Sequence, residues 1–148
     1  MALIEAIALG SNIAFDTDAL IYYVEEHDQF LPVVEPAIDR VARGQAVAHI
    51  SVITFLEVLV RPLREQRHDL VDRYRGILLD PANFTMHPVS SVIAERAASI
   101  RAEHNVEVAD AIIAATAIAA GCDFLVTNNG GDFRKIVGFQ TLVIRDYV

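Results

Sequence analysis

Residues 13–21 have the sequence IAFDTDALI, in which a short apolar run ends at an acid and a second apolar segment follows. The first run predicts a buried strand, Ile13–Asp16, and the segment after it predicts a helix, Asp18–Glu25. An ionised carboxylate beside apolar residues is costly unless it is paired or bound to a metal ion. No lysine lies near Asp16 in the sequence. The stretch therefore predicts both the first strand of a sheet and a functional acid at its end.

The same alternation between short apolar runs and helical periodicity continues along the chain. It predicts five strands, at Ile13–Asp16, Ala46–Ile50, Phe84–His87, Phe124–Thr127 and Thr141–Ile144. It predicts helices at Asp18–Glu25, Pro32–Arg43, Ser51–Arg61 (ending before Pro62), Glu65–Leu79, from Ser90 or Ser91 to about His104, and Ala111–Ala120. Such alternation is typical of an α/β domain with a mainly parallel sheet of four or five strands. We expect one domain over residues 13–148, preceded by an N-terminal extension, 1–12, whose structure the sequence leaves open.

Composition limits the class of protein. The 148 residues are 53% hydrophobic and 22% charged, which predicts a folded globular chain. A single cysteine, Cys122, favours a reducing cytoplasm. The uncharged run Ala111–Cys122 is too short to span a bilayer, and the N-terminus lacks the basic region of a signal peptide. The net charge of −8 argues mildly against a general nucleic-acid binder, although bound divalent cations would invert the local field.

Three further acids interrupt or follow apolar segments. Glu57 lies within an apolar helix, Asp110 opens the most apolar helix, and Asp132 follows the fourth strand by a polar loop. Because ligands of parallel α/β sheets bind outside the carboxyl ends of the strands, four segments can deliver carboxylates to one cleft. Oxygen ligands of this kind suit Mg²⁺ or Mn²⁺.

Each acid also has an ordinary explanation. Asp16 suits a turn or a helix N-cap, Asp110 an N-cap, and Asp132 a turn after two glycines. Glu57 has the spacing of an exposed ion pair with Arg61. The combination favours a site, because four ordinary explanations would otherwise have to coincide at one end of one sheet.

Four segments carrying these acids resemble the PIN-domain family. The segments are FDTDALI at 15–21, SVITFLEV at 51–58, ADAIIAATA at 109–117 and LVTNNGGDF at 125–133, and they occur in the family's order. The size resembles VapC-type toxins. The first acid usually lies nearer the start of such chains, and residues 128–129 lack the extra acid sometimes found there, which implies a weaker second metal site.

The resemblance implies a three-layer domain and a Mg²⁺- or Mn²⁺-dependent ribonuclease, the toxin of a type II toxin–antitoxin pair. By the same resemblance we expect RNA as substrate, a homodimer, and inhibition by a cognate antitoxin that covers the cleft. Asp16 and Asp110 would be the main metal ligands, and Glu57 and Asp132 would complete the site. The supporting residues would hold the acids or contact phosphate through neutral groups; they are Thr17, Thr127 and Asn129.

Two other readings stay open at this stage. The first is a catalytically inactive PIN-fold module that binds RNA or protein. The second is a phospho-receiver domain, which needs a phosphorylatable Asp at the end of a central strand and a Lys at the end of a later one. Lys135 instead follows the loop of Asp132, and the predicted strand Ala46–Ile50 is followed by Ser51.

Five arginines between residues 61 and 75 suggest a phosphate-binding surface beside Glu57. The ordinary alternative is a solvated helix face with local ion pairs. The sequence favours this alternative, because three acids lie among the arginines.

Overall fold

A five-stranded, fully parallel sheet forms the centre of the molecule in a computed structural model that describes all residues, 1–148. The strand order is β3-β2-β1-β4-β5, with every neighbouring pair parallel. The strands are β1 (Asn12–Phe15), β2 (Val47–Ser51), β3 (Thr85–His87), β4 (Phe124–Thr127) and β5 (Gln140–Val143). All five predicted strands are therefore present, each within one residue of its expected bounds.

Seven α-helices and two 3₁₀ helices connect or flank the strands. The α-helices are α1 (Thr17–Val24), α2 (Leu31–Ala42), α3 (Val52–Arg64), α4 (His68–Leu78), α5 (Ser91–Glu103), α6 (Val108–Ala119) and α7 (Gly130–Phe133). The N-terminal 3₁₀ helix is Leu3–Ala6 and the C-terminal 3₁₀ helix is Ile144–Tyr147. Within the N-terminal extension, Leu3 and Ile7 are buried in the main core. None of the helices combines the length and apolar character that crossing a bilayer requires.

The sheet separates two hydrophobic clusters, which gives the predicted three-layer fold. Residues of α1 to α4 join Ile13 and Phe15 in a cluster of 23 buried residues. Residues of α5 and α6, with Phe133 of α7, join Ala14 in a cluster of 14. Successive side chains of a strand point to opposite faces, so β1 supplies both cores and is buried on both sides.

Several predicted helix boundaries were wrong. Helix α3 continues through Pro62 to Arg64, because a proline near a helix end removes only one backbone hydrogen bond and its ring is buried here. Helix α4 begins at His68, since Gln66 takes a positive φ of 56° in the turn before it. Helix α6 begins at Val108, three residues earlier than predicted.

The strand order excludes the phospho-receiver reading. Receiver domains have the order 2-1-3-4-5, in which the third strand lies beside the first. Here β3 lies at the edge, next to β2, and β4 lies beside β1. The central strand β1 therefore ends between β2 and β4, and the chain segments that follow these three strands meet at one rim.

Candidate active site

The four predicted acids come from four different elements at the carboxyl rim of the sheet. Asp16 follows β1 directly and caps the N-terminus of α1, accepting a 2.7 Å hydrogen bond from the backbone N–H of Thr17. Glu57 lies on α3, and Asp110 lies in the first turn of α6. Asp132 lies in α7, which forms where the sequence predicted a polar loop. Asp16 is buried, and the other three are half-buried.

Neutral side chains connect these acids in pairs. The hydroxyl of Thr127, at the end of β4, donates a 2.7 Å hydrogen bond to Oδ2 of Asp16. The hydroxyl of Thr17 donates a 2.6 Å hydrogen bond to Oε1 of Glu57. Thr17 thus contacts Asp16 through its backbone and Glu57 through its side chain. These two bonds connect the end of β1 to the middle of α3.

Asn129 joins the remaining two acids. Its side-chain Nδ2 lies 3.1 Å from Oδ2 of Asp110 and 3.1 Å from Oδ2 of Asp132, and it donates to both. Its backbone N–H donates to the hydroxyl of Thr127 at 2.9 Å. A hydrogen-bonded path therefore runs from Asp16 through Thr127 and Asn129 to Asp110 and Asp132.

The ordinary explanation holds for Asp16 but fails for Glu57 and Asp110. Asp16 does cap the N-terminus of α1, as its ordinary explanation requires. Glu57 does not pair with Arg61, because Arg61 forms its 2.9 Å ion pair with Glu65. Asp110 is not an N-cap, since Glu107 occupies that position.

Comparison with known proteins identifies the fold family. The family model described as the PIN domain matches residues 13–138. The chain belongs to the PIN domain family. No curated protein gives a significant sequence match.

Solved structures resemble this PIN domain over most of its length. VapBC2 from Rickettsia felis, bound to a DNA fragment from its promoter, has a TM-score of 0.69 and 19% identity, covering 89% of this chain and 98% of that one. A toxin–antitoxin complex from Klebsiella pneumoniae has a TM-score of 0.67 and 28% identity, covering 88% and 96%. VapC20 of Mycobacterium tuberculosis, described as a sarcin–ricin loop cleaving toxin, has a TM-score of 0.63 and 17% identity, covering 76% and 86%.

Burial and mutual repulsion raise the pKa values of two acids of the PIN domain. Burial raises the pKa of Asp16 to about 7, with the charge of Asp18 as the next cause. Burial likewise raises the pKa of Asp110 to about 6, followed by the charges of Asp16, Asp132 and Glu57. All three other predicted acids therefore lie close enough to Asp110 to oppose its ionisation.

Asp18 is a fifth acid of the rim that the sequence analysis did not select. Its Oδ2 accepts a 2.8 Å hydrogen bond from the backbone N–H of Asn128, and its Oδ1 accepts one from Ala19. Burial raises its pKa, and the charge of Asp110 adds to the shift. The pair of acids in the stretch DTD at 16–18 is the sequence signal that could have identified it.

The donor chemistry of the rim fits a divalent cation. No group of three or more His, Cys, Asp or Glu side chains is arranged in this structure so that it could hold a metal ion, and Thr17, Thr127 and Asn129 hydrogen-bond to carboxylate oxygens of the rim. The set is nevertheless rich in carboxylate oxygen, which Mg²⁺ and Mn²⁺ prefer. Burial is the main cause of the raised pKa values of Asp16 and Asp110, and the charges of neighbouring acids add a repulsion that a bound cation would relieve.

Basic residues contribute little to this centre. The Nζ of Lys135 lies 3.9 Å from Oδ1 of Asp132, which makes a weak ion pair. On α3 and α4, Arg61 and Arg67 form local ion pairs, and Arg73 lies 3.8 Å from Glu26. Three of the five arginines between residues 61 and 75 thus have acidic partners, two of them within four residues in the sequence, which favours the solvated helix face over a phosphate-binding surface.

Proposed function

We propose that this PIN domain is a metal-dependent endoribonuclease that hydrolyses RNA phosphodiester bonds, and that it is the toxin of a type II toxin–antitoxin pair. One observation carries the proposal. Carboxylates from β1–α1, α3, α6 and α7 converge at the rim, where burial and then the charges of Asp16, Asp132 and Glu57 raise the pKa of Asp110. Such an arrangement of acids is unfavourable for folding. Acids with perturbed pKa values in a cleft are typical of catalytic sites.

Asp16 and Asp110 would hold the metal, with Glu57 and Asp132 completing its surroundings. When bound, Mg²⁺ or Mn²⁺ supplies a more acidic water and neutralises charge on the scissile phosphate. Glu57 is oriented by the hydroxyl of Thr17, and we assign it the role of accepting the proton of the attacking water. Asn129 fixes the spacing of Asp110 and Asp132, so that both carboxylates stay directed at the cleft.

Two comparisons support the biological setting. The K. pneumoniae protein, at 28% identity, is part of a toxin–antitoxin complex. VapC20, described as cleaving the sarcin–ricin loop, supports RNA as the substrate class. We therefore propose a cognate antitoxin as the partner that covers the cleft. The cytoplasm is the proposed location, consistent with a single buried cysteine, Cys122.

A homodimer is the oligomeric state that we propose. Four aliphatic side chains form an exposed stripe on the outer face of α3, at i, i+4, i+8 and i+11. They are Val52, Leu56, Val60 and Leu63, with 37%, 56%, 42% and 54% of their surface exposed. Such a ridge packs against a two-fold copy of itself, as an isologous interface requires.

The test is cleavage of RNA by the purified chain with Mg²⁺, with Mn²⁺ and with EDTA. We expect discrete cleavage products with either metal and none with EDTA. Mapping the cleaved ends in total RNA identifies the target. A chain that binds Mn²⁺ and cleaves no RNA would instead be the inactive PIN-fold module.

A further inference from the structure

Two residues at the end of β4 and in the loop after it contact three of the four predicted acids through their side chains. Thr127 and Asn129 face the carboxylates. Asn128, between them, makes its contacts with other parts of the chain, and only 9% of its surface is exposed. Asn128 is therefore the residue by which the rest of the protein holds this loop.

All the main polar groups of Asn128 have partners. Its backbone N–H donates to Oδ2 of Asp18 at 2.8 Å, and its side-chain Nδ2 donates to the hydroxyl of Tyr22 at 3.2 Å. Its Oδ1 accepts from the backbone N–H of Arg145 at 2.8 Å, and its carbonyl accepts from the guanidinium of Arg145 at 3.3 Å. These partners belong to α1 and to the C-terminal 3₁₀ helix, so one residue joins three segments.

The chemistry of the amide explains the choice of residue. The side-chain amide of Asn128 carries both an acceptor and a donor. Its Oδ1 accepts from the backbone N–H of Arg145, and its Nδ2 donates to the hydroxyl of Tyr22. Alanine at position 128 would leave the N–H of Arg145 without its partner. Aspartate would place a further carboxylate beside Asp18, where the pKa is already raised.

We propose that Asn128 is a positioning residue of the candidate active site. By fixing the loop to α1 and to the C-terminal 3₁₀ helix, it keeps Thr127 bonded to Asp16, and Asn129 bonded to Asp110 and Asp132. It contacts none of these three acids through its own side chain. The catalytic consequence rests on the proposed function, whereas the positional consequence does not.

Hydrogen exchange tests the positional consequence directly. The reporter is the backbone N–H of Asn129, which donates to Thr127. In Asn128→Ala we expect its exchange to accelerate about tenfold or more, the equivalent of losing one or two hydrogen bonds. The matched control is Asn83→Ala, which removes a half-buried asparagine whose side chain donates to the carbonyl of Ile77. The control should leave exchange at Asn129 unchanged, and unchanged exchange in Asn128→Ala would overturn the proposal.

A milder variant serves if Asn128→Ala does not fold. Tyr22→Phe removes one hydroxyl from the contacts of Asn128 and keeps the aromatic ring packed against His27 and Phe30. We expect a smaller acceleration of exchange at Asn129, about two- to fivefold for one weak hydrogen bond. Exchange equal to that of the wild-type protein would count against a positioning role for Asn128.

Kinetics test the catalytic consequence. Since the side chain of Asn128 contacts Tyr22 and Arg145 rather than the four predicted acids, Asn128→Ala should lower kcat at least tenfold for the folded protein, with KM for RNA little changed. A raised KM with unchanged kcat would contradict a positioning role. If the wild-type chain cleaves no RNA, the proposed function fails, and the exchange measurement still decides whether Asn128 positions the loop.

Discussion

The hydroxyl of Thr127 donates a 2.7 Å hydrogen bond to Oδ2 of Asp16, across 111 residues of sequence. The same hydroxyl accepts the backbone N–H of Asn129. The proton and one lone pair of this side chain are thus used in hydrogen bonds, and the side chain is fully buried. The bond fixes the orientation of Asp16 from the neighbouring strand rather than from its own loop.

Replacing Thr127 with valine should remove the hydrogen bonds of the hydroxyl and keep the packing of the buried side chain. The shape is kept, but Asp16 and Asn129 each lose a partner, so we expect a loss of stability of about 1–3 kcal/mol and slower RNA cleavage. Thr116→Val is the matched control, because Thr116 is also buried and donates only to the carbonyl of Ile112 within α6. Thermal unfolding and cleavage rates should show that both variants lose stability and that only Thr127→Val loses activity. Equal activity in the two variants would remove Thr127 from the site.

Asp16→Asn should abolish metal-dependent cleavage and keep the fold. Asparagine caps helices as well as aspartate does, so α1 retains its N-cap. The substitution also removes a charge whose burial is unfavourable, so the melting temperature should not fall. An exposed acid provides the control: Asp123→Asn should cleave RNA at the wild-type rate. Full cleavage by Asp16→Asn with Mg²⁺ would exclude Asp16 from the mechanism.

The metal-free protein should become less stable as pH rises through the titration of Asp16. Its pKa is 3.8 in a model peptide and about 7 in the fold, so between these values the folded chain binds more protons than the unfolded one. Stability from this group is therefore complete below about pH 4 and is lost as pH rises towards 7. Burial lowers the pKa values of His49 and His87, whose contribution has the opposite sign and is lost as pH falls below 6.5.

Comparing the wild-type protein with Asp16→Asn shows how the Asp16 carboxylate contributes to the pH dependence of stability. Melting temperatures in EDTA at pH 5, 6, 7 and 8 should fall more steeply with pH for the wild type than for Asp16→Asn. The histidines contribute equally to both proteins, so the difference reports Asp16 together with its charge effect on Asp110. Parallel curves would mean that Asp16 is ionised across this range.

Mn²⁺ should stabilise the wild-type protein, and more strongly at pH 8 than at pH 6. A ligand of the native state at about 100 times its Kd adds about 2.7 kcal/mol. Protons compete with the metal for Asp16 and Asp110, whose pKa values are about 7 and 6. Thermal unfolding with millimolar Mn²⁺ measures the shift, and Asp110→Asn should reduce it. The absence of any shift in the wild type would count against a metal site.

Strands and acids were predictable because both follow local rules. Short apolar runs identified every strand, and a carboxylate beside such a run identified Asp16 and its equivalents. The parallel arrangement then brought the strand ends to one rim, which placed residues far apart in sequence together. The resemblance to the PIN family, rather than this reasoning, implied Thr127 at the end of the fourth strand and Asn129 two residues beyond it.

The parts that the sequence did not predict depend on tertiary contacts. Asp18 resembles an ordinary first-turn acid until Asn128 is seen to donate to it from the next loop. Helix α7 is a single turn, too short to show periodicity, so the segment of Asp132 was predicted as a loop. Pro62 stands inside α3 because packing outweighed the local preference that the sequence expresses.

Dimer formation should depend on the exposed stripe of α3. Leu56 lies near its middle with 56% of its surface exposed, and an arginine there would place a charge in an apolar interface without a partner. We expect Leu56→Arg to be monomeric by sedimentation, while Val137→Arg, at an isolated and 90% exposed valine, keeps the oligomeric state of the wild type. Folding should be unaffected in both variants, because neither side chain belongs to a core cluster. A wild-type chain that sediments as a monomer at micromolar concentration would contradict the homodimer, and a dimeric Leu56→Arg would place the interface elsewhere.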